Sequence, residues 1–180
     1  VAVPEGVAPE VAASMLLQGM TSHYLLHGVR ETDPGDTMVV TAGAGGVGLI
    51  LTQMAAAEEA TVYSVVSTDE KERLAYEAGA AKVFRYGPSL AEEIKAENGG
   101  RGVDVVYDGV GKDTFEMCLG VARPRGLVCS FGSASGDVEP FKIQELKSHG
   151  ALFLTRPSLA HYVATDDEFL MRAQAVTRAV

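Results

Sequence analysis

Cysteine is scarce in this 180-residue chain, basic residues are outnumbered, and no long apolar run interrupts it. The two cysteines, Cys118 and Cys129, are too few for a disulfide framework or a four-cysteine zinc lobe, and both sit among apolar neighbours, as buried thiols do. Such usage fits a reducing, cytoplasmic setting. Without a run of about 18 apolar residues no membrane-spanning helix is expected. Val1 to Pro9 lacks the basic-then-apolar pattern of a secretion signal, so the chain is expected to be soluble. Lys and Arg number 15 against 24 Asp and Glu, a net charge of -9 that repels polyphosphate at long range and argues against bulk nucleic-acid binding. A single small anionic ligand remains compatible with it.

Several catalytic signatures are missing too. No Gly-Lys-Ser/Thr follows the glycine-rich stretch, so this is not a P-loop, which speaks against ATP or GTP hydrolysis. No Gly-x-Ser-x-Gly elbow occurs, and neither cysteine has an obvious base beside it. His23 and His27 stand four apart on an expected helix, but no third ligand follows at metal-binding spacing, and no metal site is assigned. No catalytic side chain is assigned either. Hydride transfer needs none, because a cofactor carries that chemistry while the protein supplies position and electrostatics.

What the chain does have is 47% hydrophobic residues, enough for one compact domain with a core. Short apolar runs alternate with amphipathic stretches, the pattern of repeated βα units. Strands are predicted at Thr37 to Ala42, Thr61 to Ser67, Lys82 to Tyr86, Val103 to Asp108, Gly126 to Phe131 and Ala151 to Thr155. Helices are predicted at Val47 to Glu58, Asp69 to Ala78, Leu90 to Glu97, Asp113 to Val121 and Phe141 to Ser148, with a last one from Asp166 onward. Gly79 and Gly99-Gly100 mark helix ends. Val103-Asp-Val-Val-Tyr107 shows little polar alternation, as expected where helices cover both faces of a parallel sheet. These features predict an α/β fold, a doubly wound Rossmann-type parallel sheet of six strands in the order 3-2-1-4-5-6. The chain then reverses between the first and fourth strands, and a ligand should lie across their carboxyl ends.

The first 35 residues do not fit the rhythm. Pro9-Glu10 followed by Val11, Met15, Leu16, Leu17 and Met20 reads as a helix, and Thr21 to Val29 as its continuation or as a second helix after Gly19. Residues 1–35 are therefore read as a helical lead-in, the remnant of a junction to a preceding domain. Residues 36–165 form the dinucleotide-binding domain, and 166–180 a helix cut short.

Thr41-Ala-Gly43-Ala-Gly45-Gly46-Val-Gly48 follows the first strand and opens the first βα helix. In that context Gly43, Gly45 and Gly48 match G-x-G-x-x-G. The first permits the tight turn, the second lets a pyrophosphate approach the backbone, and the third lets the helix pack close to the strand. A helix N-terminus there carries about half a positive charge and free N–H groups, enough to hold phosphate without a nearby lysine.

At the tip of the second strand an acidic residue would bind both ribose hydroxyls and favour NAD. Here the tip is Ser67, and Lys71, four residues on, turns back toward the same spot. A 2′-phosphate would meet a hydroxyl and a cation, which favours NADP. Asp69 and Glu70 dissent, since either could swing toward the ribose, although both also serve the helix dipole. Tyr86, closing the third strand, reaches the same pocket from the side. Asp108-Gly-Val-Gly111 and Ser130-Phe131-Gly132 end the fourth and fifth strands at the crevice and are read as the nicotinamide half, with glycine where a bulky side chain would obstruct a flat ring.

Taken together, Ala12-Ala13-Ser14 through Gly19-Met-Thr21 and His23-Tyr-Leu-Leu26, then Ala42 to Gly48, Val105-Val-Tyr-Asp108, Ser130-Phe-Gly132 and Thr155-Arg-Pro-Ser-Leu159 resemble the zinc-independent quinone oxidoreductases. These are the zeta-crystallin-like branch of the medium-chain dehydrogenase/reductase superfamily. The likeness covers nearly all of the chain. It implies NADPH-dependent reduction of quinones or related conjugated carbonyls without catalytic zinc. Carried onto matching positions, it places Thr21 on the nicotinamide amide and Gly46 and Val47 on the pyrophosphate. Ser67, Lys71 and Tyr86 then surround the 2′-phosphate, with Phe131 near the nicotinamide end. Ser67 departs from the glycine many relatives carry. The β-rich catalytic domain of the family is not in this sequence, so the expectation is NADPH binding without efficient quinone turnover. The resemblance also implies a homodimer paired through the edge strand Ala151 to Thr155.

Two rivals remain at this point. A methyltransferase would also place its S-adenosylmethionine on a glycine turn, but it wants an acid where Ser67 stands. A non-catalytic cofactor- or RNA-binding module would need a local basic patch such as Lys82, Arg85 and Lys112.

Overall fold

The computed structural model describes residue 3 and residues 5–178. Residues 1, 2 and 4 of the expected lead-in, and 179 and 180 of the expected last helix, lie outside the described residues. The β-branched runs form β1 (Thr37–Val40), β2 (Thr61–Val66), β3 (Lys82–Arg85), β4 (Val103–Asp108), β5 (Ala122–Ser130) and β6 (Phe153–Thr155). Every neighbouring pair is parallel, and the order is β3-β2-β1-β4-β5-β6, as the sequence predicts. Around the sheet lie α1 (Pro9–Tyr24), α2 (Gly46–Ala57), α3 (Asp69–Glu77), α4 (Leu90–Glu97), α5 (Phe115–Val121), α6 (Gln144–Ser148) and α7 (Asp166–Arg178).

Alternate strand residues feed two separate cores. Val39, Val65, Val106 and Val128 face Leu90 and Ile94 of α4 and Phe115 and Leu119 of α5. Met38, Val40, Val62, Val105, Tyr107 and Cys129 face the other way, against Tyr24 and the following Leu25 and Leu26, and Leu51 and Ala55 of α2. Burial on both faces explains why the strands carry no polar alternation. Each fully buried Leu or Val contributes roughly 1.5–3 kcal/mol.

The lead-in is one helix, not two. Gly19 does not break α1, because the glycine serves packing: a Cβ there would lie 2.5 Å from Cγ1 of Val176 on α7. Beyond Tyr24 the chain runs on into a single π-helical turn, Leu25–Val29. Other boundaries shift for backbone reasons. β1 stops at Val40, since Ala42 takes a left-handed φ of 49°. β6 starts at Phe153 because Ala151 has φ 57°. β5 begins four residues early, with Ala122 opposite Val103; an irregularity around Arg125, whose φ is 61°, separates that contact from the regular ladder starting at Leu127. α6 is shorter than expected, because Phe141 packs on Phe115, ring centroids 5.0 Å apart, instead of opening the helix. No described helix is long and apolar enough to cross a membrane.

Candidate functional site

The glycine turn sits where the strand order reverses, between β1 and its neighbours β2 and β4. Its geometry is set by contacts that forbid side chains. A Cβ on Gly43 would lie 2.8 Å from the Ser64 side chain, and one on Gly48 only 2.5 Å from the Ala42 carbonyl oxygen. The left-handed residue of the turn is Ala42, and Gly45 N–H closes it by donating to the Ala42 carbonyl at 2.8 Å. α2 then begins with no side-chain cap and no acidic residue in its first turn. Its first helical bond is Leu49 N–H to the Gly45 carbonyl at 3.0 Å, which leaves the N–H groups of Gly46, Val47 and Gly48 without a backbone acceptor among the described residues. Unsatisfied donors at the positive end of a helix dipole form an anion cradle.

At the tip of β2 the Lys71 ammonium stands 3.1 Å from the Ser67 hydroxyl, both exposed. Thr68 caps α3 by accepting from Lys71 N–H, which fixes the start of the turn that carries the lysine back. Asp69, which could have turned toward a ribose, instead accepts from Arg85 at 2.6 Å, and Arg85 also holds Glu72. Tyr86 lies over the glycine turn. Its hydroxyl oxygen accepts from Ala42 N–H at 2.7 Å, and burial raises its pKa while that bond pulls it back.

Asp108 departs from the expected ligand contact. It is fully buried, and its carboxylate accepts from the Thr41 and Thr114 hydroxyls, each at 2.7 Å, and from Val110 and Gly111 N–H, each at 3.1 Å. Its carbonyl takes Phe131 and Gly132 N–H. This residue ties together the ends of β1, β4 and β5, and so builds the crevice. Gly132 has a related role, since a Cβ there would meet the Gly109 carbonyl oxygen at 2.4 Å. The object it clears is the neighbouring backbone.

Phe131 and Thr21 line one cleft of about 490 Å³ with Tyr24, Arg156, Pro157, Ser158 and Leu159. On the other side of the Phe131 backbone, a smaller cleft of about 270 Å³ is lined by Ser130, Phe115, Phe141, Thr155 and again Arg156. Arg156 is a cation between the two clefts that the sequence reading did not assign. Its signal was the Thr-Arg-Pro-Ser-Leu run itself. The Ser130 hydroxyl, buried, has no hydrogen-bond partner among the described residues.

A cleft of about 930 Å³ lies at the opposite edge, by the amino ends of β1, β4 and β5. Carboxylates there are already paired, Asp36 with Arg30 and Asp104 with Arg123. We place the site at the glycine turn because open N–H donors, not volume, identify an anion cradle. The basic trio Lys82, Arg85 and Lys112 is likewise neutralised, by Glu97, by Asp69 with Glu72, and by Glu139. Both thiols are buried, and burial pushes Cys129 up to about 12 and Cys118 well above the usual range, so neither is an activated nucleophile. No group of three or more His, Cys, Asp or Glu among the described residues is placed to hold a metal ion.

Residues 46–170 match the family model described as zinc-binding dehydrogenase. The chain is 42% identical over 158 residues to a 2-haloacrylate reductase of a Burkholderia species, covering 87% of this chain and 47% of that protein. It is also 42% identical over 167 residues to a quinone oxidoreductase of Salmonella typhimurium, covering 92% of this chain and 51% of the relative. It therefore spans about half the length of these relatives. Among solved structures, a mycobacterial protein complexed with NADPH superposes with a TM-score of 0.97 at 47% identity, covering 99% of this chain and 56% of that one. Escherichia coli quinone oxidoreductase complexed with NADPH gives 0.96 at 38%, covering 100% and 56%.

Proposed function

Because the chain belongs to the zinc-binding dehydrogenase family, as a cofactor-binding domain of the medium-chain dehydrogenase/reductase superfamily, we propose that it binds NADPH across the carboxyl ends of β1 and β4. In the whole protein it would serve hydride transfer to quinones or related conjugated carbonyls. One observation carries this reading: the uncapped N–H cradle of Gly46, Val47 and Gly48 stands beside a strand tip where Lys71 and Ser67 lie 3.1 Å apart. A diphosphate fits the first and a 2′-phosphate the second.

When bound, NADPH supplies a hydride from its nicotinamide. The residues of this chain bind and orient. Gly43, Gly45 and Gly48 shape the turn, and Gly46 and Val47 donate to the diphosphate. Ser67, Lys71 and Tyr86 surround the 2′-phosphate. Thr21 and Phe131 receive the nicotinamide end, with Arg156 beside it, while Asp108 and Gly132 hold the crevice open. A methyltransferase reading loses ground to Ser67, and an RNA-binding one to the paired basic residues. We read the hydride step as zinc-independent, as the resemblance implies, and the setting as cytoplasmic. Tyr24, Leu25 and Leu26 pack the lead-in onto the 36–165 domain, while the exposed apolar side chains Leu17 on α1 and Leu170 and Met171 on α7 support 1–35 and 166–180 as a seam to another part of the protein. A homodimer through the β6 edge completes the proposal.

Titration calorimetry with NADPH and NADH tests the cofactor assignment. Lys71→Ala should weaken NADPH by about 1–3 kcal/mol, roughly five- to 150-fold, and leave NADH nearly unchanged. Equal loss for both cofactors, or none, would count against the 2′-phosphate site. The expectation that these residues bind cofactor without efficient turnover fails if they oxidise NADPH steadily with a simple quinone at about 1 s⁻¹ or faster.

A further inference from the structure

We infer that Gln18 is a ligand to the diphosphate of the bound dinucleotide, donating from its side-chain amide beside the N-terminus of α2. The inference rests on the cofactor reading above and adds a residue that the glycine fingerprint does not contain. Gly46 gives the first indication. G-x-G-x-x-G does not demand glycine there, yet a Cβ on Gly46 would lie 3.2 Å from Cγ and 3.6 Å from Nε2 of Gln18. The amide is therefore folded over the first residue of α2, next to the N–H groups that lack backbone acceptors.

Gln18 is half-buried as a residue, and its side-chain amide has no hydrogen-bond partner among the described residues, although its backbone carbonyl accepts from the Ser22 hydroxyl at 3.0 Å. The amide N–H donors are therefore free to meet an anion in the cradle. Position on the helix argues the same way. Gln18, Thr21 and Tyr24 follow one another at three-residue spacing on α1, and Thr21 and Tyr24 line the 490 Å³ cleft beside Phe131. One side of α1 thus runs from the cradle to the cleft, about 4.5 Å per step. A ligand occupying both places lies along it. The Ser22 hydroxyl also reaches the Val47 carbonyl at 3.4 Å, which holds α1 in register with the start of α2.

The chemistry suits glutamine. It brings a donor to the anion without adding a formal charge, in a first helical turn that has no acidic residue. Glutamate, of the same shape, would place a carboxylate against the diphosphate.

The test is calorimetry with NADPH and NADH on the chain as it stands and on Gln18→Ala, Gln18→Glu and Gln18→Lys. Both cofactors share the diphosphate, so Gln18→Ala should weaken both by the same three- to tenfold. Gln18→Glu should weaken both by more than tenfold at low salt and less at high salt. Gln18→Lys should restore or tighten binding. Alanine favours helix, so Gln18→Ala keeps α1 intact, and an unchanged melting temperature checks this. Binding within twofold of the parent chain for both Gln18→Ala and Gln18→Glu would overturn the inference, as would a loss confined to NADPH. If the parent chain binds neither dinucleotide, the cofactor reading itself falls, and this inference with it.

Discussion

The buried carboxylate of Asp108 accepts four hydrogen bonds, and three of the four donors have no other acceptor among the described residues. Replacing it by alanine strands the Thr41 hydroxyl and the Val110 and Gly111 N–H groups, whereas the Thr114 hydroxyl keeps the Gly111 carbonyl at 3.2 Å. A buried donor left unsatisfied costs about 1–3 kcal/mol. Asp108→Ala should therefore lower the urea midpoint by an amount equivalent to at least about 3 kcal/mol and abolish NADPH binding. A variant that unfolds normally and still binds would show that the crevice does not need this carboxylate. Gly48→Ala acts through space alone: the new methyl would sit 2.5 Å from the Ala42 carbonyl oxygen, an overpacking worth roughly 1–3 kcal/mol. Loss of dinucleotide affinity should accompany it, measurable in the same titrations. At this scale the glycine pattern was legible, because spacing and context state what the backbone must do. Asp108 was legible as a position but not as a role. Only the three-dimensional approach of Thr41 and Thr114 turns an acid at a strand tip into a clamp. Gln18 gave no signal in the sequence, since a glutamine on a helix announces nothing until Gly46 is found beneath it.

Among the elements, α7 is held to α1 by a mixed contact. Val176 fills the space above Gly19, and Arg172, itself buried, donates to the Tyr162 carbonyl at 2.7 Å and bonds His23 Nδ1 at 3.0 Å. Burial, with His27 and Arg172 acting in the same direction and Glu31 against it, holds the His23 imidazole down at about 4 from 6.5. The unfolded chain takes up that proton at about 6.5 and the folded one only near 4. Stability from this group is therefore complete above about pH 6.5 and is lost as pH falls toward 4. The melting temperature of the parent chain should drop more between pH 6.5 and 4.5 than that of His23→Gln, which keeps an acceptor for Arg172 and has nothing to titrate. Parallel drops would remove His23 from the account. Element type and order were readable from apolar periodicity, as were most core strands. Boundaries were less so, because Ala42, Arg125 and Ala151 adopt left-handed φ that their side chains do not advertise. Gly19 misled in the other direction, since nothing before α7 in the chain reveals that a valine will lie against it.

Whole molecules meet through what the fold leaves open, and β6 is a three-residue edge strand paired only to β5, with Phe153 65% exposed. An unpaired strand edge carrying an apolar side chain invites a second copy, and a two-fold axis would set two β6 strands antiparallel and merge both sheets. Opposing this, each chain carries a net charge of -9, so like-charge repulsion weakens association at low salt and is screened as salt rises. Light scattering should therefore give twice the 18.9 kDa chain mass, with the dimer fraction rising from low to physiological ionic strength. Phe153→Lys puts a charge on the edge and should shift the species to monomer at equal concentration, while NADPH affinity stays within twofold because Phe153 lines neither of the clefts beside Phe131. A parent chain that remains monomeric at every salt and concentration would refute edge pairing. Loss of cofactor binding together with the dimer would instead mean that the second copy reaches the crevice, and the β6 edge would then have to be counted as part of the site.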